Sequence, residues 1–218
     1  MKILFTRHGE SLANTLHIIS NRDLPHPLTE QGRAQAAALA KTLARRIESQ
    51  PDTRLAHIYA SPILRARQTA EIVAARLADL ESHALPPVEL SPGLSEYDCG
   101  ILEGHGDDDA WSTHNRFFHD WLEDRRREQF PAGGETFNQI RTRLTGFVNG
   151  LLEYYGPESA TEVLCVSHGG TLRLGLPGLL DNLDFDFVQT HGLGHTDIIE
   201  TETRAGVLIC RSWGQDFF

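Results

Sequence analysis

The 218-residue chain lacks the features that would tie it to a membrane, an oxidising compartment or a nucleic acid. No apolar run approaches the roughly 20 residues that a membrane span needs. Its apolar start, Ile3-Leu4-Phe5, gives way at once to Arg7 and His8, so it offers no secretory hydrophobic region. Cysteine is scarce. Cys99, Cys165 and Cys210 are odd in number and have no C-x-x-C spacing, which argues against a disulfide framework and a zinc knuckle. An excess of positive charge is missing too: 30 acidic residues stand against 20 Lys and Arg, a formal net charge of −10. Sequence-independent binding to a phosphate backbone requires the opposite balance. Repeats, low-complexity tracts and interdomain linkers are also absent. The expectation is a cytoplasmic protein with no nucleic-acid and no membrane partner and no cofactor. Its length suits one domain over residues 1–218.

What is present is ordinary globular sequence, with 40% hydrophobic and 23% charged residues. Lys2 to Thr6 reads as a buried strand. A polar stretch with Pro25 and Pro27 leads to Thr29, a helix N-cap, and a helix carrying Leu39, Leu43 and Ile47. His57 to Ala60 reads as a second strand. Ser61-Pro62 reads as the cap and first position of a helix with Ala66, Ala70, Val73, Leu77 and Leu80 on one face. Val88 to Leu90 could be a third strand. Asp107 to Asp109 open a helix with Trp111, Phe118, Trp121 and Leu122, and Arg125 to Arg127 close it; acids first and bases last suit its dipole. After a break at Pro131 to Gly134, Phe137, Ile140, Leu144, Val148, Leu151 and Tyr155 mark a long amphipathic helix. Val163 to Val166 is a strand running into Ser167-His168-Gly169-Gly170, and Pro177 ends or kinks the helix that follows. Ile198-Ile199 and Val207 to Cys210 form a terminal hairpin. This alternation predicts an α/β fold: an open, mostly parallel twisted sheet with helices on both faces, and residues 86–134 as a small helical cap insertion.

In an acidic protein, attraction for an anion must come from a few placed cations. Two strands end alike, in Thr6-Arg7-His8-Gly9 and Ser167-His168-Gly169-Gly170, and ligands of open α/β sheets sit beyond such strand ends. Arg65 falls in the first turn of its helix, where a cation opposes the dipole unless an anion binds there. Arg7, His8, Arg65 and His168 together would suit a phosphoryl group, because the planar guanidinium fork matches its oxygens.

Several further segments join these in a fixed order. They are Arg7-His8-Gly9-Glu10 with Asn14, Pro27 to Gly32, Ser61 to Ala70, Leu94-Ser95-Glu96 with Gly100 and Glu103-Gly104, Gly133 to Phe137, and Val166 to Thr171. The ordered set resembles the signature of the histidine phosphatase (phosphoglycerate mutase-like) superfamily, phosphatase branch, from residue 2 to about residue 175. Arg-His-Gly alone is a weak motif; the series is specific. The resemblance implies a metal-independent phosphomonoesterase that hydrolyses a small phosphorylated metabolite. His8 would be the nucleophile that becomes phosphohistidine, and Glu96 the general acid and base. Arg7, Asn14, Arg65, His168 and the Gly169 amide would bind the phosphate. Chemistry agrees, since a neutral imidazole is a nucleophile near pH 7 without a metal, and an alkoxide leaving group needs a proton donor.

Two alternatives stay open. A mutase would need a second anion site, which Arg125 to Arg127 could supply, but the mutase-type Phe-Thr-Gly-Trp sequence is missing. A non-catalytic phospho-ligand module would have lost His8 or Glu96, and both are present. His191 and His195 have the i, i+4 spacing of some zinc sites, yet Gly192 and Gly194 argue against a helix there, so no metal is expected. An asparagine commonly stands near His195 in the family, which makes this histidine a departure. Glu10 and Glu135 are candidates to orient an arginine.

Overall fold

In the computed structural model, which describes residues 1–22, 26–50, 54–80 and 88–218, strand β1 spans Lys2–Arg7. Its unbroken apolar run follows from burial on both faces. Ile3 and Phe5 point into one core cluster with Val163 and Cys165, while Leu4 joins Leu164 and Val166 in the other. The period-2 alternation of a strand thus serves two layers at once.

Strands β2 (Arg54–Ala60), β3 (Glu89–Leu90), β4 (Thr161–Ser167), β5 (Ile198–Arg204), β6 (Val207–Trp213) and β7 (Asp216–Phe217) complete a sheet of order β3-β2-β4-β1-β5-β6-β7. The first four in sequence are mutually parallel. The C-terminal strands then add antiparallel, so five of the seven strands share one direction. The turn between β5 and β6 is Ala205-Gly206, both at positive φ (50° and 81°), the backbone that a tight two-residue hairpin demands.

One face of the sheet is covered by α2 (Glu30–Ser49) and α3 (Leu64–Leu80) through Leu39, Leu43, Ala66, Ala70, Val73 and Leu77. Thr29 caps α2 as expected, its hydroxyl accepting from Gly32 N–H at 3.0 Å. Short α1 (Leu12–Thr15) precedes it. The other face carries α5 (Phe137–Tyr155), α6 (Gly169–Gly175), α4 (Asp108–Leu122) and α7 (Phe185–Thr190). Asp107 caps α4, and α6 stops short of Pro177. Ile140, Leu144 and Val148 of α5 lie against Ile3, Phe5, Val163 and Cys165. Gly175 lets α6 approach Leu144 where any side chain would collide. Leu144→Ala is expected to cost about 3 kcal/mol in urea unfolding, because that close approach cannot collapse to fill the cavity.

Two details depart from the sequence reading. Helix α3 begins at Leu64 rather than directly after Ser61, which frees the Ser61 hydroxyl for the site. Arg125 to Arg127 fall beyond the end of α4, in a turn where Asp124 and Arg126 have positive φ. Pro25, the side chain of Leu80 and Pro86 at the expected start of the cap lie outside the described residues. No helix among the described residues is long and apolar enough to cross a membrane.

Candidate active site

Strands β1 and β4 are adjacent, parallel and in register, with Arg7 opposite Ser167. The next residue of each is a histidine, so His8 and His168 emerge side by side at the carboxyl edge of the sheet, ring centroids 5.1 Å apart. His8 N–H donates to Ser167 O at 3.0 Å, carrying the ladder one step past the strands. On the other side of β4, β2 delivers Ser61 and then Arg65 in the first turn of α3. Gly9 is obligatory where this edge meets α2: a Cβ there would lie 2.5 Å from Gly32 O.

Hydrogen bonding fixes the state of His8. Its Nδ1 lies 2.7 Å from Gly9 O, which can only accept, and its Nε2 lies 3.0 Å from Arg65 Nε, which can only donate. The proton is therefore on Nδ1, and Nε2 presents a lone pair. Burial, then Arg65, then Arg7 hold this imidazole well below its ordinary pKa, so it is neutral near pH 7. His168 is likewise held low, by burial first and then by Arg65 and His8. Its Nε2 is 2.8 Å from Ser61 Oγ, which itself accepts from Ile63 N–H at 3.2 Å. Ser61 can thus donate to His168, an arrangement that puts the ring hydrogen on Nδ1. Burial lowers Arg65 to about 10, which leaves it charged at neutral pH.

Four buried nitrogens here have no hydrogen-bond partner among the described residues: Arg7 Nε, Arg65 Nη1, His168 Nδ1 and His195 Nε2. Each such stranded group costs about 1–3 kcal/mol. They come from four separate chain segments and gather around the His8 ring, an arrangement that suits an oxyanion.

Glu96 follows the short helical turn Pro92–Leu94, which Ser167 Oγ ties down through Leu94 O at 2.7 Å. Its Oε1 accepts from Thr171 N (2.7 Å), Thr171 Oγ1 (3.0 Å) and Tyr97 N (3.1 Å), whereas among the described residues Oε2 accepts only from Gly170 N, at 3.1 Å. Glu135 does orient an arginine: it grips Arg143 through both oxygens (2.8 and 3.1 Å), and Arg143 reaches Thr171 Oγ1 at 3.2 Å. Glu10 instead accepts from Thr29 Oγ1 at 2.7 Å. Asn14 Oδ1 accepts from Ser11 N and Oγ (3.0 and 2.9 Å), so its NH₂ is the end left for a ligand.

Arg7, His8, Asn14, Arg65, Glu96 and Gly169 all line one cavity of about 400 Å³. Its far wall holds Ile18, Ile19, Trp111, His114, Phe118 and Arg173, of which the sequence pattern marks Trp111 and Phe118 as helix packing and the others not at all. Arg173 was legible in hindsight, since it stands one helical turn beyond Gly169 and Gly170 on the same side of α6. It donates to Val188 O at 2.7 Å and lies over the Phe118 ring. Arg125 to Arg127 do not line the cavity. Arg125 pairs with Glu123 (2.6 Å) and Asp120, Arg126 with Asp120 (3.6 Å), and Arg127 with Asp124 (2.7 Å). The second-anion role considered for them finds no support in this cavity. His191 stacks on Phe187 at 3.9 Å, while His195 faces His8 at 5.8 Å, so the two rings serve different neighbours. Among the described residues, no three potential metal ligands come together.

A sheet edge presenting two imidazoles, two guanidinium groups and a carboxylate defines a phosphoryl-handling class of protein. Comparison with known proteins agrees. The model of the histidine phosphatase superfamily (branch 1) matches residues 3–216. Fructose-2,6-bisphosphatase TIGAR B of Danio rerio is 27% identical over 208 residues, covering 83% of this chain and 75% of that protein. Phosphoglycerate mutase-like protein 4 of Arabidopsis thaliana is 27% identical over 172 residues, covering 79% and 68%. The structure of a mycobacterial glucosyl-3-phosphoglycerate phosphatase with VO3 superposes with a TM-score of 0.76 at 23% identity, covering 98% of both chains. The chain belongs to the histidine phosphatase superfamily and is a phosphatase-type enzyme.

Proposed function

We propose that this protein hydrolyses a small phosphorylated metabolite through a phosphohistidine on His8. The observation that carries the reading is the His8 Nε2 lone pair, held by Arg65 at 3.0 Å amid nitrogens that lack partners. A phosphate oxygen is a stronger acceptor than an imidazole, so a bound ester takes over the Arg65 donor and releases the lone pair. Nε2 attacks phosphorus in line; the P–N bond forms as the P–O bond to the leaving group breaks. Arg7, Arg65, His168, the Asn14 amide and the Gly169 N–H hold the non-bridging oxygens, where charge is spread. Glu96 gives its proton to the leaving oxygen from Oε2, the less encumbered of its two oxygens. As a carboxylate it then takes a proton from water, which attacks phosphorus and returns the P–N electrons to His8. The guanidinium groups supply the compensating charge, and no metal ion takes part in these steps.

Hydrolysis is favoured over transfer to a second bound acceptor because Arg125 to Arg127 are committed to their own carboxylates. Placement of both His8 and Glu96 in the cavity favours turnover over simple binding. The part of the 86–134 segment that is described acts as a cap, its Trp111, His114 and Phe118 forming the wall against the organic half of the substrate. Arg173, with no carboxylate among its contacts on the described residues, would meet any acidic group there.

Glu96→Gln tests the assignment of the acid. Alkyl phosphates, with poor leaving groups, are expected to lose about 10²–10⁴-fold in kcat/KM. An aryl phosphate such as 4-nitrophenyl phosphate, which leaves without help, should lose far less in its phosphorylation step. Equal losses on both would assign Glu96 another role.

A further inference from the structure

His195 lies in the loop 192–197 before β5, and that loop is fastened to Arg7 at two points and braced internally at a third. Arg7 Nη1 donates to Leu193 O at 2.8 Å, Thr196 N–H donates to Arg7 O at 3.0 Å, and Gly194 N–H donates to the Asp197 carboxylate at 2.7 Å. Thr196, though β-branched, is held at a φ of 61°. Such a residue in the left-handed region is a strained conformation that persists only where the surroundings enforce it. The outcome of this construction is the placement of one imidazole: the His195 ring centroid is 5.8 Å from that of His8, tilted by 44°.

No group among the described residues pairs with the nitrogen so placed. His195 Nε2 is buried without a partner among the described residues, as is Arg7 Nε. Burial, then Arg7, lower the imidazole to about 4 against a smaller opposing pull from Glu10, so the ring is uncharged at neutral pH and keeps one N–H to give. A side chain required only for packing would be phenylalanine or leucine, with no nitrogen to strand. The stranded nitrogen makes physical sense when a ligand supplies its acceptor.

We propose that His195 is a further ligand of the phosphoryl group, donating from Nε2 to a non-bridging oxygen next to the one gripped by Arg7. The proposal rests on reading this cavity as a phosphoryl site, and it makes the oxyanion shell two guanidinium groups and two imidazoles, His168 and His195, around the attacking one.

The test uses the full chain, inorganic phosphate as the probe and titration calorimetry. His195→Phe keeps a ring and removes both nitrogens, whereas His195→Gln keeps an N–H at comparable reach. Phosphate is expected to bind the Phe variant about tenfold more weakly than wild type, or about 1.4 kcal/mol. The Gln variant should recover most of that loss. The melting temperature of ligand-free His195→Phe should equal or exceed that of wild type, since a buried unpaired nitrogen has been removed. Phosphate binding by the Phe variant as tight as by wild type overturns the proposal. So does a fall in its ligand-free melting temperature that accompanies the weaker binding, because the histidine would then serve the fold. Wild type that binds no phosphate sinks both this assignment and the phosphoryl pocket. Unaltered turnover in His8→Ala, with phosphate binding still dependent on His195, would instead discard the nucleophile alone.

Discussion

His8→Ala protein is expected to lose turnover of phosphomonoesters by about 10⁴-fold or more, the scale on which removal of a covalent nucleophile acts. The same change should abolish a labelled phosphoprotein that wild type forms within one turnover. Rapid mixing with ³²P-labelled ester followed by an alkaline quench is the suitable measurement, because the P–N bond of phosphohistidine is labile to acid. The size of the expected loss follows from the geometry. His168 is only 5.1 Å away, ring to ring, but its Nε2 is taken by Ser61, so it cannot substitute as nucleophile. Equal hydrolysis by the two proteins would show that the bond to phosphorus forms elsewhere.

The next largest effect belongs to Arg65, which acts on both partners of the reaction. Arg65→Gln should lower kcat/KM by about 10³-fold, through lost stabilisation of the equatorial oxygens. It should also change the pH profile in a direction the electrostatics dictate. Arg65 is the largest charged contribution holding the His8 imidazole down, second only to burial. Its removal lets the His8 pKa rise toward that of free histidine. A histidine must be neutral to attack, so the acid limb of kcat/KM moves to higher pH in the variant and the active range narrows from below. A limb that stays in place while activity falls would confine Arg65 to gripping the substrate. An opposite shift would contradict the electrostatic account of the site.

The legible and illegible parts of this molecule divide along physical lines. Strands whose residues are apolar on both faces, such as Ile3 to Phe5 and Val163 to Val166, announced themselves by composition alone. Thr29 was readable as a cap because its hydroxyl does a local job that leaves a local trace, and Asp107, legible only as one of three acids opening a helix, turns out to do the same job with its carboxylate. The strand-end pairs Arg7-His8 and Ser167-His168 could be connected because parallel neighbours deliver corresponding residues to one edge. Ser61 was misread for an instructive reason. Its sequence context is that of a helix cap, yet its hydroxyl reaches His168, 107 residues away, and nothing local marks that partner. His195 was partly legible. Its spacing from His191 is that of some zinc sites, but Gly192 and Gly194 pointed instead to a loop near the rim of the site; what holds that loop is Arg7, on the far side of the chain in sequence. Arg125 to Arg127 were conspicuous as a cluster, but the acids that satisfy them, Asp120, Glu123 and Asp124, stood beside them throughout.

The in-register pairing of β1 with β4 makes the sheet a ruler for the site. His8 and His168 are matched by counting the same number of steps along two adjacent strands, from Lys2 opposite Glu162 to Arg7 opposite Ser167. A single residue inserted within either strand would offset that count and turn the following side chains to the other face. Both cores are apolar, so the slipped protein could still bury its hydrophobic residues while the two histidines parted. Length variation among descendants of this chain should therefore accumulate in its loops and at its C-terminal hairpin, and spare these two segments even where their individual apolar residues drift.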